Sequence, residues 1–169
     1  MATALQLEPA AAPFIDPDEE GALIDAIARW VDKEVRPVVM KHDHDDIWPA
    51  ELVAQMCEMG LFGATIGKDY GGLGLPATTY AKIVAHIASY WMAITGIFNS
   101  HLIMAAAVER FGTEAQKRQW LPRFATGEIR GGLALTEPNA GTDLQAIRTV
   151  ARREGDDYVI NGSKTWISN

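Results

Sequence analysis

Apolar positions recur with helical spacing along the first two thirds of the chain, and alternate with polar ones as strands do in the last third. Asp16-Pro17-Asp18-Glu19 reads as a helix start: a capping carboxylate, a proline in the first turn and an acid three residues on. Leu23, Ile24, Ile27, Trp30, Val31 and Val35 then share one face, largely opposite Asp25, Arg29, Asp32 and Lys33, and Pro37 is expected to kink or end the helix. Pro49 opens a second helix that turns Leu52, Val53, Met56 and Met59 inward and stops at Gly60. Tyr80, Ile83, Val84, Ile87, Ala88, Trp91 and Ile94 keep helical spacing again. No Asp, Glu, Lys or Arg occurs from Ile83 to Val108, a run long enough to cross a membrane. His86, Ser89, Thr95, Asn99, Ser100 and His101 interrupt it too often for lipid, so the run reads as two buried helices meeting near Gly96, with no membrane span. Gly112 ends the second, Thr113 and Gln116 cap the next, and Thr126-Gly127 closes that one after Trp120, Leu121 and Phe124.

Beyond Glu128 the period changes to two. Leu133 and Leu135 alternate with Ala134 and Thr136 as in a half-buried strand, which Pro138 ends. Arg148 to Arg153 reads as a strand, Glu154 to Asp157 as a turn and Tyr158 to Ile160 as a strand. Asn161-Gly162 is a two-residue hairpin signal leading to a last strand with Trp166 and Ser168 on the same face. Helices followed by antiparallel strands make an α+β arrangement, with an N-terminal helical bundle over 16–128 and the first strands of a β-barrel-like domain over 129–169. Residues 1–15 read as a loose, disordered, alanine-rich tail without the basic and apolar regions of a secretory signal. About four strands, the last unpaired and aromatic on one face, call for further strands to cover them, so the sequence reads as the front of a longer, truncated protein.

Composition narrows this modestly. Among 169 residues 48% are hydrophobic, as in a soluble globular chain, and Lys+Arg 15 against Asp+Glu 22 leaves a net charge of -7. That balance argues against nucleic acid and against anionic membranes as partners. The single Cys57 excludes an internal disulfide and a cysteine-based metal cluster; it reads as a small core residue, compatible with a reducing, cytoplasmic location.

Four stretches carry candidate chemistry. Gly63 to Gly67 has three residues rather than four between its glycines, and Asp69 stands where a phosphate loop needs Ser or Thr, so that motif is absent. His42-Asp43-His44-Asp45-Asp46 holds metal-ligand side chains, but closed sites draw ligands from separated elements, so a solvated interhelical loop is expected and no metal. His101 reads as an interior histidine with satisfied ring nitrogens. The bend from Glu137 to Asp143, with Gly141 between Asn139 and Thr142, leaves N–H groups and a threonine hydroxyl for a planar polar ring or a phosphate; Trp166 and Ser168 offer a flat surface and a hydroxyl beside each other.

Thr136-Glu137-Pro138 with Ala140-Gly141-Thr142-Asp143, followed by Ile160-Asn161-Gly162, Lys164 and Trp166-Ile167-Ser168-Asn169, resembles the flavin-binding signature of the acyl-CoA dehydrogenases. Tyr70-Gly71-Gly72-Leu73-Gly74 resembles a connecting loop of the same family, and Asn139 departs from its more usual glycine. The resemblance implies FAD as cofactor, bound by Leu133, Ala134, Leu135, Thr136, Gly141, Thr142, Trp166, Ile167 and Ser168. It also implies an acyl-CoA substrate touched by Thr142, Thr95 and Asn99, an electron-transfer flavoprotein as acceptor, and a homo-oligomer. By the same resemblance, the rest of the barrel and a C-terminal helical bundle with the glutamate base would follow, so no catalytic residue is assigned here. An acyl-CoA oxidase or related flavin monooxygenase shares the motifs, and a helical interaction module without cofactor is the reading from another class.

Overall fold

The computed structural model describes residues 13–168; most of the expected tail, residues 1–12, and Asn169 of the second motif lie outside them. Helix α1, Pro17–Trp30, starts where the Asp16 carboxylate accepts the Asp18 N–H at 2.9 Å, and Asp18, Glu19 and Glu20 oppose the positive end of its dipole. It widens into a π turn, Val31–Val35, ahead of Pro37. That turn keeps Val31 and Val35 on the buried face with Ile27 and Trp30.

Helix α2, Val39–His44, occupies part of the acidic stretch expected to be loop. Two contacts explain the difference: the His42 ring sits 3.0 Å from the Val38 carbonyl, and Asp43 takes the Trp91 indole N–H at 3.0 Å. Helix α3, Ala50–Glu58, buries Leu52, Val53 and Met56, and Gly60 ends it in the left-handed region at φ 73°. The glycine-rich segment then folds back on itself, with Leu73 N–H on the Gly63 carbonyl and Leu75 N–H on that of Ala64, at 2.9 and 2.8 Å. Gly72 passes so close to Ile66 that a side chain there would overlap its carbonyl.

Helix α4, Ala77–Phe111, is the axis of the core. The expected break near Gly96 lies instead at Trp91, whose φ −151° and ψ 95° divide two helical segments. A buried indole held by Asp43 from α2 decides the position, whereas Gly96 stays helical. This helix is long and apolar enough to cross a membrane, but Ile83, Ile87, Ile94, Phe98, Leu102 and Ala105 are buried in the helical core. Each of the larger of these side chains contributes about 2 kcal/mol by leaving water. Helix α5, Glu114–Ala125, opens with the reciprocal Thr113–Gln116 capping box and closes the core with Leu121 and Phe124.

Of the expected strands the structure forms two, β1 at Val150–Glu154 and β2 at Asp157–Asn161, an antiparallel hairpin in the register Val150 to Asn161, turned at Gly155 with φ 64°. All ten of its residues are exposed. The Leu133–Leu135 stretch joins no ladder among the described residues, and both leucines lie about two-fifths exposed, at 41% and 42%. Asn161-Gly162 does not turn a second hairpin. Glycine is needed at 162 because a side chain would overlap Thr149, and Trp166, at φ 59°, cannot continue a strand.

Candidate functional site

The bend begins on a tether from the helical domain. His101 of α4 is fully buried; the Gly131 N–H donates to its Nδ1 at 3.3 Å and its Nε2 lies 3.1 Å from the Phe124 carbonyl. A ring nitrogen that accepts leaves the proton on the other, so His101 is a neutral Nε2–H tautomer donating to Phe124. Burial pushes its pKa below the ordinary value, in keeping with that form.

From Gly131 the chain runs without regular secondary structure to Thr136 and reverses over Pro138 and Asn139. The Glu137 N–H donates to the Ala140 carbonyl at 2.9 Å, and the Ala140 N–H returns to Glu137 at 3.1 Å. Proline supplies the φ this turn requires at its first central residue. Asp143 then caps the short turn Leu144–Ala146 through the Gln145 N–H at 3.1 Å.

Glu137 is the hub of the arrangement. Its carboxylate, buried at 8% exposure, accepts the Arg148 N–H at 2.8 Å, the Thr149 N–H at 2.9 Å and the Lys164 ammonium at 2.9 Å. The Thr149 hydroxyl, the Arg148 N–H and the Lys164 ammonium hold its carboxyl down to about 2. The Thr149 oxygen is buried without completing a hydrogen bond of good geometry, so the N–H groups and the ammonium carry most of the binding. Lys164 also donates to the Leu135 carbonyl at 3.1 Å, and the Thr165 N–H donates to that of Thr136 at 3.0 Å.

The two motifs therefore meet at 135–137 and 164–165. The acceptor groups of Leu135 and Thr136 are taken, while among the described residues no N–H from Leu133 to Thr136 donates a hydrogen bond. A segment with its donors open fits the acceptor edge of an isoalloxazine, and the half-buried Thr136 adds a hydroxyl. These residues fit a flavin ring; nothing in them marks where the rest of FAD would lie.

The remaining expected residues are less assembled. Gly141 and Thr142 are exposed beyond the turn. Trp166 does not pack on the bend but stands 92% exposed, and Ile167 and Ser168 are exposed with it, because the expected strand that was to aim them is absent. Thr95 is buried with its hydroxyl on the Met92 carbonyl at 2.6 Å, and Asn99 accepts the Tyr80 hydroxyl at 2.6 Å. Burial pushes Tyr80 up to about 12, so it remains that donor. Among the described residues no hydrogen bond joins Thr95 or Asn99 to the bend. No group of three or more His, Cys, Asp or Glu side chains among them is arranged to hold a metal ion. The sequence pattern contains Lys164 but gives it no role. Its partners lie 27 and 29 residues away, a separation no local pattern reports.

Residues 17–128 match the family model for the acyl-CoA dehydrogenase N-terminal domain, and residues 132–169 that for the acyl-CoA dehydrogenase middle domain. The chain is 37% identical over 154 residues to (2S)-methylsuccinyl-CoA dehydrogenase of Cereibacter sphaeroides, covering 90% of this chain and 28% of that protein. It is 38% identical over 144 residues to the short-chain specific acyl-CoA dehydrogenase of Clostridium acetobutylicum, covering 85% and 38%. Butyryl-CoA dehydrogenase from Megasphaera elsdenii superposes with a TM-score of 0.82 at 31% identity, covering 91% of this chain and 42% of that one. The chain thus spans roughly a quarter to two-fifths of the length of these relatives.

Proposed function

The chain belongs to the acyl-CoA dehydrogenase family, and from that premise we propose that it is the N-terminal part of an FAD-dependent enzyme that removes two hydrogens from an acyl-CoA thioester. The observation that carries the proposal is the segment Leu133–Thr136, whose N–H groups stay open while Lys164 and Thr165 occupy its carbonyls at Leu135 and Thr136. When bound, the flavin supplies the acceptor for the hydride leaving the β-carbon.

The chain's own residues bind and orient. Open N–H groups of the Leu133–Thr136 segment and the Thr136 hydroxyl would hold the polar edge of the ring, with Trp166 against a face and Ser168 adding a hydroxyl. By the family resemblance, Thr142 would lie near the pyrophosphate and the CoA arm, and Thr95 and Asn99 on the helix beside the acyl tail. The α-proton needs a carboxylate within reach of the substrate that is ready to accept it. Glu137 is unsuited to that task, because three donors occupy it and hold it at about 2. No catalytic base is assigned among this chain's residues; the family resemblance implies a glutamate from a C-terminal helical bundle. An electron-transfer flavoprotein is the acceptor this reading implies, and a homo-oligomer the assembly.

The test is the flavin content of the purified protein, read from its visible absorption, in wild type, Thr136→Ala and Trp166→Ala. Both variants are expected to retain less FAD. Unchanged content in both overturns the proposal. A colourless but folded, monodisperse wild type supports the interaction module instead.

A further inference from the structure

The pair formed by Lys164 and Glu137 does more than join two loops. A peptide unit is planar and trans, so its C=O and the following N–H point in opposite directions. The Leu135 carbonyl receives the Lys164 ammonium at 3.1 Å, so the Thr136 N–H of the same plane is aimed away from Lys164. The next plane is held from both sides: Thr165 N–H binds the Thr136 carbonyl at 3.0 Å, and Glu137 N–H binds Ala140 at 2.9 Å. Two consecutive planes are thus fixed, and the one donor they leave open is Thr136 N–H.

Lys164 is itself held. Its ammonium reaches Glu137 at 2.9 Å, with side chains 22% and 7% exposed, and the same carboxylate grips the Arg148 and Thr149 N–H groups at the start of the hairpin. A charge-assisted bond in so sheltered a place is stronger and more directional than a surface ion pair. Breaking it by removing one partner leaves the other charge uncompensated.

We propose that Lys164, seated on Glu137, is the positioning residue of the flavin edge: it sets the plane of the Leu135–Thr136 peptide and so aims the Thr136 N–H at the ring. This rests on the flavin reading given above. It assigns Lys164 a task distinct from ring contact, since the ammonium lies on the carbonyl side of the segment, away from the open donor. Orienting a donor before the ligand arrives removes an ordering cost from binding.

The test uses the full chain titrated with FAD, as wild type, Lys164→Met and Lys164→Arg, with thermal unfolding as the check on folding. Lys164→Met keeps the aliphatic stem and loses the ammonium. We expect FAD binding about tenfold weaker and the long-wavelength flavin band displaced, with Lys164→Arg restoring both toward wild type. Affinity and band position unchanged in Lys164→Met overturn the proposal, and so does a loss that Lys164→Arg fails to relieve, which would mark a role in folding alone. If wild type takes up no FAD, the flavin reading fails separately, and amide exchange decides the positioning. Exchange at Thr165, Arg148 and Thr149 about tenfold faster in Lys164→Met upholds it, and unchanged exchange overturns it. Should Lys164→Met not fold, Glu137→Gln, which removes the charge at nearly constant shape, takes its place: weaker FAD binding or faster exchange upholds the proposal, and no change in either overturns it.

Discussion

Replacing His101 by leucine tests the join between the helical domain and the bend. The imidazole is fully buried, links Gly131 and Phe124 at 3.3 and 3.1 Å, and meets the rings of Phe62 and Phe124 edge-on at centroid distances of 5.4 and 5.6 Å. Leucine removes two neutral hydrogen bonds worth about 1 kcal/mol each. It also removes two aromatic contacts worth about 0.5 kcal/mol each. The expected loss is therefore about 3 kcal/mol, or a fall of about 6–12 °C in Tm for a chain of this size. Thermal unfolding followed by far-ultraviolet circular dichroism near neutral pH measures it. The same histidine predicts a pH effect. Burial places its folded pKa below 6.5, so as pH falls through that value the unfolded chain takes up the proton first. The stabilisation is complete above 6.5 and declines toward the lowered folded value, with a slope of at most about 1.4 kcal/mol per pH unit. His101→Leu lacks this proton, so its deficit relative to wild type should shrink from about pH 7 to about pH 5. A deficit under about 1 kcal/mol, or one that stays constant with pH, would refute the reasoning.

Gly72→Ala should cost about 2 kcal/mol or more, since the new methyl would overlap the Ile66 carbonyl; a melting temperature within a degree or so of wild type would contradict that packing. Trp166→Ala should separate stability from binding. At 92% exposure its loss moves stability by no more than about 0.5 kcal/mol while flavin retention drops, and a large fall in Tm would show the indole packed after all. For Glu137 the folded pKa is depressed from 4.5 to about 2, so its stabilisation is fully present above 4.5 and fades as pH falls to about 2. Amide protection at Arg148 and Thr149 should be flat from neutral pH to about 4.5 and decline from there toward about 2; protection already gone at 4.5 would count against the Glu137 contacts.

Much of this protein was legible as local pattern. The Asp16 cap, the buried stripe from Ile27 to Val35, the Gly60 stop and the Thr113–Gln116 box each depend on residues within a turn or two of one another, and each forms where the spacing puts it. The hairpin turn at Gly155 follows the same rule. The order of the two motifs was enough to indicate the family, because backbone donors and a threonine hydroxyl are needed at set positions whatever surrounds them.

What the sequence could not decide were features set by distant partners. The break in α4 sits at Trp91 because Asp43, 48 residues earlier, takes its indole N–H; a glycine five residues on signalled only permission to bend. Leu133–Leu135 and the segment at Trp166 have the composition of strands, yet a strand exists only where a ladder partner lies alongside. Lys164 belonged to the second motif without a task of its own until the fold set it between a carbonyl and a carboxylate 29 and 27 residues away. Short-range geometry is written in neighbouring residues because the same few dihedral angles govern both; hydrogen bonds across the chain depend on which surfaces the core brings together, and only the assembled tertiary structure chooses those.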